Sequence, residues 1–315
     1  MTLLPLGTLI YTLRPLRRIA ARLPSGLGQL LFEPSSKPAE SPPDEAKPEF
    51  YGVVYDAARR GVFVANKFRN ALWFFQPKND KLVLTEKHTC DRLVAPCTLS
   101  MSPSHGVLIG CYGSCRNRQS GLWHYDFTNW RLLTSAETQL SISHCCWLDG
   151  QFCYVDRMDS VLWLGRLGDS KLEAITSPNN NRLSPNAGKT AELRLRYVQG
   201  IHFSPSEKML YIADASLGAI FKVNTKTRTY ELVAGRQTPS DSTTRANLCS
   251  GSSNKWLGPM RALTQDIKGN LTWLDGESGK LWSLNSDKEI VELNPCLPGQ
   301  SCTGLLGSGL ACVAH

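Results

Sequence analysis

Hydrophobic residues in this chain come in short runs separated by clusters of polar, turn-forming residues. The pattern is clearest from Val198 to Ala234. There Ile201–Phe203, Met209–Ala213, Ala219–Val223 and Tyr230–Val233 read as four strands. The separators at 204–207, 214–218 and 224–227 are rich in Ser, Pro, Asp, Asn and Gly, the residues that set turns. A sheet of this kind has two apolar faces and cannot bury both alone, so stacked copies are predicted.

The copies are present. An aromatic follows an aliphatic residue at Leu72-Trp73, Leu122-Trp123, Leu162-Trp163, Ile220-Phe221 and Leu281-Trp282. Asn66, Asp156, Asp214 and Asp275 each stand seven residues before that aromatic and close a hydrophobic run. Fourteen residues earlier again stand Gly52, Gly200 and Arg261 in three of the copies. The copies cover about 50–88, 93–135, 138–177, 195–235 and 257–294. That spacing suits propeller blades rather than helical repeats, whose units carry a 3.6-residue period. The expectation is an all-β chain, a β-propeller.

Composition changes this picture little. Hydrophobic residues make up 42% of the 315, ample for a large core, and the formal charge is +8. The positive residues are scattered, which reads as a solvated basic surface. Eleven cysteines, an odd number, do not suit a fully paired secreted framework. Structural thiols are the first expectation. Small loops closed by Cys111/Cys115 and Cys296/Cys302 are the second, and a metal is a distant third, because CxxC spacing is missing.

The chain divides into a basic N-terminal segment and Pro/Ser-rich linker over 1–48, a repeat domain over 49–295, and a Gly/Cys-containing tail over 296–315 that can contribute to a closing blade. Residues 1–32 hold four Arg and no acid, as an organellar transit peptide does. Their apolar run is too short to span a bilayer. An intracellular location, cytoplasmic or organellar, is favoured over secretion. Two polar insertions, Ser177–Glu192 and Gly235–Lys255, are expected on one face of the ring.

Gly200–Val223, with Gly200-Ile201-x-Phe203-Ser204-Pro205, Leu210-Tyr211-Ile212-Ala213-Asp214 and Ile220-Phe221-Lys222-Val223, resembles an NHL-type repeat. It is also similar to blades of the SMP-30/gluconolactonase and strictosidine-synthase-like proteins. The resemblance implies a six-bladed ring, of which five copies are recognisable here. It also implies where chemistry sits. The enzymatic relatives hold a divalent metal at the channel mouth through Glu, Asn and Asp just ahead of the innermost strands. The corresponding residues here are Tyr51, Pro96, Ser143, Gln199 and Met260, with no carboxylate among them. Hard cations need oxygen donors that this set lacks.

No catalytic residue, metal ligand or cofactor is therefore assigned. The strand-ending Asp residues are expected to accept bonds from turn amides, and Trp73, Trp123, Trp163 and Trp282 to fill the space between blades. His144 beside Cys145-Cys146 is the most noticeable ionisable group near the mouth, with Cys146 on its own strand face. The leading expectation is a non-enzymatic platform that binds a protein or peptide through Tyr51, His144, Gln199 and Arg261. One alternative is a calcium-dependent hydrolase or lyase of the SMP-30 or amidating-lyase kind, with carboxylates such as Asp91, Asp149 or Asp266 reaching the channel. A second is RNA binding through Arg59, Arg60, Lys67, Phe68 and Arg69 in the first blade.

Overall fold

The computed structural model describes residues 50–293 apart from 80, 103, 113–119, 135–139, 170, 179–183, 236–250, 253–256, 267, 277 and 279, together with the backbone of Leu9–Ile10 and Leu310–Ala311. The expected linker and tail otherwise lie outside the described residues, as do Cys115, Cys296 and Cys302.

Each sequence copy forms one up-and-down antiparallel sheet, a blade. Blade 1 contains Phe50–Asp56, Gly61–Asn66, Ala71–Lys78 and Lys81–Thr89. Blade 2 contains Pro96–Ser102, Gly106–Cys111, Leu122–Tyr125 and Trp130–Leu132. Blade 3 contains Ile142–Trp147, Phe152–Asp156, Leu162–Gly165 and Glu173–Ala174. Blade 4 contains Val198–Ser204, Met209–Asp214, Ala219–Asn224 and Thr229–Gly235. Blade 5 contains Met260–Gln265, Leu271–Asp275, Leu281–Leu284 and Glu289–Leu293. First strands of successive blades lie side by side and line the centre.

The hairpins share one turn device. Asp56 Oδ1 accepts the amides of Ala58 and Arg59, Asn224 Oδ1 those of Lys226 and Thr227, and Asp214 Oδ1 those of Ser216 and Leu217. Four residues after each of these stands a residue with positive φ: Arg60 at 51°, Arg228 at 56° and Gly218 at 59°. The short polar side chain satisfies the turn amides, and the left-handed residue brings the chain back into the sheet. Asp214, and Asp156 through the Met158 amide at 3.1 Å, are thus turn-formers as expected, while Asp275 accepts from the Ser278 hydroxyl.

Apolar faces are buried between neighbours. One cluster joins Phe63, Leu72 and Phe74 of blade 1 to Ile109 and Trp123 of blade 2. A second joins Leu108 and Leu122 to Tyr154 of blade 3. A third joins Val155 and Leu162 to Leu210 and Phe221 of blade 4. A fourth joins Tyr211 and Ile220 to Trp273 and Trp282 of blade 5. Trp123 and Trp282 are the inter-blade core residues expected of them. Trp163 packs half-buried against the second cluster, and Trp73 is half-buried under Lys87, whose Nζ lies 5.1 Å from its ring.

Three expectations are corrected. Five blades, not six, stand among the described residues. The remaining place, between the first strands of blades 1 and 5, holds Leu9–Ile10 paired antiparallel with Leu310–Ala311. Second, the described parts of both polar insertions, expected as loops on one face of the ring, add outer strands to blades 4 and 5 at the rim. Ala187–Lys189 pairs with the outer strand of blade 4, and Gly251–Ser252 with that of blade 5. An outer strand has an unpaired row of amides and carbonyls, which an added strand covers. Third, the basic residues of blade 1 do not form one face. Arg59 and Arg60 sit in the turn before Gly61–Asn66, and Lys67–Arg69 in the turn after it, so a strand about 20 Å long separates them. Arg59 is also engaged, paired with Glu86 and lying 4.1 Å from the Phe74 ring.

Two substitutions test this construction. A Cβ at Gly200 would lie 2.7 Å from the Leu263 backbone nitrogen of the next blade. Gly200→Ala should therefore lower stability by roughly 1–3 kcal/mol in denaturant melts. Asp214 is fully buried and also accepts the amides of Arg196 and Tyr197. Asp214→Ala strands these donors and should cost about 3 kcal/mol.

Candidate functional site at the channel mouth

In every blade the pairing of the first two strands slips by one residue at the same end. The shift falls between Phe50 and Val53, Pro96 and Thr98, Ile142 and His144, Val198 and Gly200, and Arg261 and Leu263. A bulge inserts one unpaired residue and re-aims its side chain. In blades 2, 3 and 4 the extra residue is Cys97, Ser143 or Gln199, and each lines a cavity at the channel mouth. Pro96, the sequence-based candidate in blade 2, is buried in its strand, and Cys97 takes the mouth position.

A second repeated bond fixes the other half of the wall. The amide of the residue after the second strand donates to the carbonyl of the residue just before the first strand of the same blade: Tyr112 to Ala95, Arg157 to Ser141, Ala215 to Tyr197 and Gly276 to Pro259, at 2.8–3.0 Å. Lys67 occupies the same repeat position in blade 1. Lys67, Tyr112, Arg157 and Ala215 all line the cavity.

The cavity has a volume of about 510 Å³. Tyr51, His144, Gln199 and Arg261, the four candidates from the sequence, lie together in its wall. Lys67, Tyr112, Arg157 and Tyr197 were not anticipated. Lys67 Nζ stands 4.6 Å from the Tyr51 ring and 5.4 Å from that of Tyr112. The Arg157 guanidinium stands 4.8 Å from Tyr112 and 5.7 Å from Tyr197. Cation and ring thus alternate across blades 1 to 4, each pair favoured by the ring quadrupole. Arg261 adds a third cation from blade 5. No Asp or Glu lines the cavity, and none of the three cations forms an ion pair with a described carboxylate.

The thiols and the imidazole are not poised for nucleophilic chemistry. Cys97 donates to the carbonyls of Gly110 and Ile142 at 3.2 and 3.4 Å. Burial pushes its thiol up to about 12, although Lys67 and Arg157 pull the other way. Cys146 donates to the Trp147 carbonyl, and burial pushes it up to about 11. A reactive cysteine needs the opposite, an accessible thiolate. His144 is buried and makes no hydrogen bond to Cys146, which shares its strand face. Cys111, Cys145 and Cys153 are free and buried.

The donors do not fit a divalent cation either. Among the described residues no three His, Cys, Asp or Glu side chains cluster as ligands. Asp149 and Asp266 sit in the turns between first and second strands, at the end of the sheets away from the mouth. There Asp149 pairs with Lys208 at 2.6 Å, and Asp266 accepts the amides of Lys268 and Asn270. Asp91 is exposed in the loop after blade 1 and does not line the cavity.

Solved structures share this architecture. A chain of a nidogen/laminin complex matches with a TM-score of 0.58 at 12% identity, over 84% of each chain. Virginiamycin B lyase from Staphylococcus aureus gives 0.51 at 13%, over 79% of this chain and 71% of that one. Regucalcin from Agrobacterium tumefaciens, described as calcium-binding, gives 0.50 at 15%, over 78% and 74%. The fold is a β-propeller. No family model matches the chain, and no curated protein matches its sequence. No helix among the described residues of this propeller is long and apolar enough to cross a membrane.

Burial holds His144 down to about 4, against the nearby Gln199 backbone, which raises it. A folded pKa below the unfolded value of about 6.5 means that stability is present above pH 6.5 and lost as pH falls towards 4. His144→Leu should remove up to about 3 kcal/mol of that loss. Urea melts of both proteins at the two ends of this window measure it.

Proposed function

We propose that this propeller is a non-enzymatic binding platform that engages a protein or peptide through the channel mouth. One observation carries the reading. All five blades contribute to a single concave wall, with bulged residues from blades 2 to 4 and post-strand residues from blades 1 to 4, and no metal-ligating cluster stands among the described residues. Propellers host many activities, so the site decides and not the fold. Here the wall offers aromatic rings, cations and the Gln199 amide, the composition of a recognition surface. A propeller of similar shape occurs in a nidogen/laminin complex, which is in keeping with this reading. Regucalcin and virginiamycin B lyase share the shape as well, but a calcium-dependent reaction would need carboxylates that this mouth lacks. RNA binding has less support, because the blade 1 cations divide between opposite ends of a strand.

The test is quantitative cross-linking of partners to the wild-type chain and to Gln199→Ala and Arg261→Ala. Both variants should lose the same partners by several-fold while melting as the wild type does. Equal capture by all three proteins would rule out the mouth as the contact surface. Calcium-dependent turnover of a lactone or ester would replace this reading with the enzymatic one.

A further inference from the structure

The charge of the mouth says more than that something binds there. Lys67, Arg157 and Arg261 come from three different blades and face one cavity without a carboxylate among its lining residues. Cations gathered in a concave, low-dielectric wall reinforce one another's potential and draw in anions.

We propose that the mouth seats a carboxylate of an acidic peptide, a Glu or Asp side chain or the chain terminus, between Lys67, Arg157 and Arg261. This rests on the binding-platform reading and names the chemistry of its contact. Guanidinium groups pair with carboxylates through two parallel N–H···O bonds. The volume of about 510 Å³ fits a short peptide segment or a small organic ligand. A nucleic acid is less well served. Single-stranded RNA is held by free aromatic faces on which bases stack, whereas Tyr112 already has Lys67 and Arg157 over its ring.

Calorimetric titration of the full chain tests this with defined probes: acetylated, amidated hexaglutamate, hexaglutamine and hexalysine, the dicarboxylate glutarate, and hexauridylate. Hexaglutamate should bind, weaken as salt is raised, and outbind hexaglutamine and hexalysine. Lys67→Met and Arg157→Gln should each weaken it tenfold or more with melting temperature unchanged. Arg157→Lys should recover part of the loss. Failure of hexaglutamate to bind, or equal binding by Lys67→Met and Arg157→Gln, overturns the proposal. So does tighter binding of hexauridylate. Loss of partner cross-links in Gln199→Ala together with silent hexaglutamate would sink the carboxylate seat and leave the platform standing. Glutarate binding as tightly as hexaglutamate would keep the seat and remove the peptide platform.

Discussion

The structure depends on one constraint: each blade has two apolar faces and only neighbouring blades to cover them. The third-strand aromatic repeats because it is the residue that bridges the gap. Trp123, Phe221 and Trp282 occupy equivalent positions and enter three of the four inter-blade clusters. Turning the sheets face to face brings their first strands together at the centre, where crowding is greatest. Gly200 meets the backbone of Leu263 there, and Gly52 that of Leu99. These glycines recur for lack of room.

The same constraint builds the mouth. A first strand that approaches its neighbour closely is bulged at one end, and the bulge turns one residue per blade towards the centre. The amide bond made just after the second strand holds a second ring of positions above it. In this chain the second ring carries Lys67, Tyr112 and Arg157, and the first ring carries no acid. What the mouth presents is thus set by the residues at two repeat positions and not by the fold.

Much of this was legible in the chain itself. The five repeats, most of the strands and the turn role of Asp156 and Asp214 follow from hydrophobic runs closed by Asp at fixed spacing. Tyr51, Gln199 and Arg261 could be placed at the mouth because they stand at or just ahead of repeat starts, and His144 because it lies one residue inside. Lys67 and Arg157 were missed, although each directly follows the strand-ending Asn66 or Asp156 that marked the repeat. Reading one residue further along the same register would have found them. The basic run in blade 1 misled because proximity in sequence was taken for proximity in space, while a strand carries its two end turns far apart. The polar insertions misled for a different reason: loop composition does not reveal that part of a loop pairs with an open sheet edge.

The wall of the mouth has a consequence for the cohesion of the ring. Tyr51 and Arg261 belong to the first and last blades of an array in which each blade grips only its neighbours. Stability in such arrays is a sum of nearest-neighbour terms, and the ends are the least restrained. A guest that touches residues from several blades at once is a clasp across the array. Whatever free energy it gains on binding is added to the folded ring by mass action. Under the proposed binding, occupancy of the mouth would be tied to the lifetime of the protein: filled, the five blades would resist unfolding and proteolysis as one body; empty, they would answer to their separate interfaces.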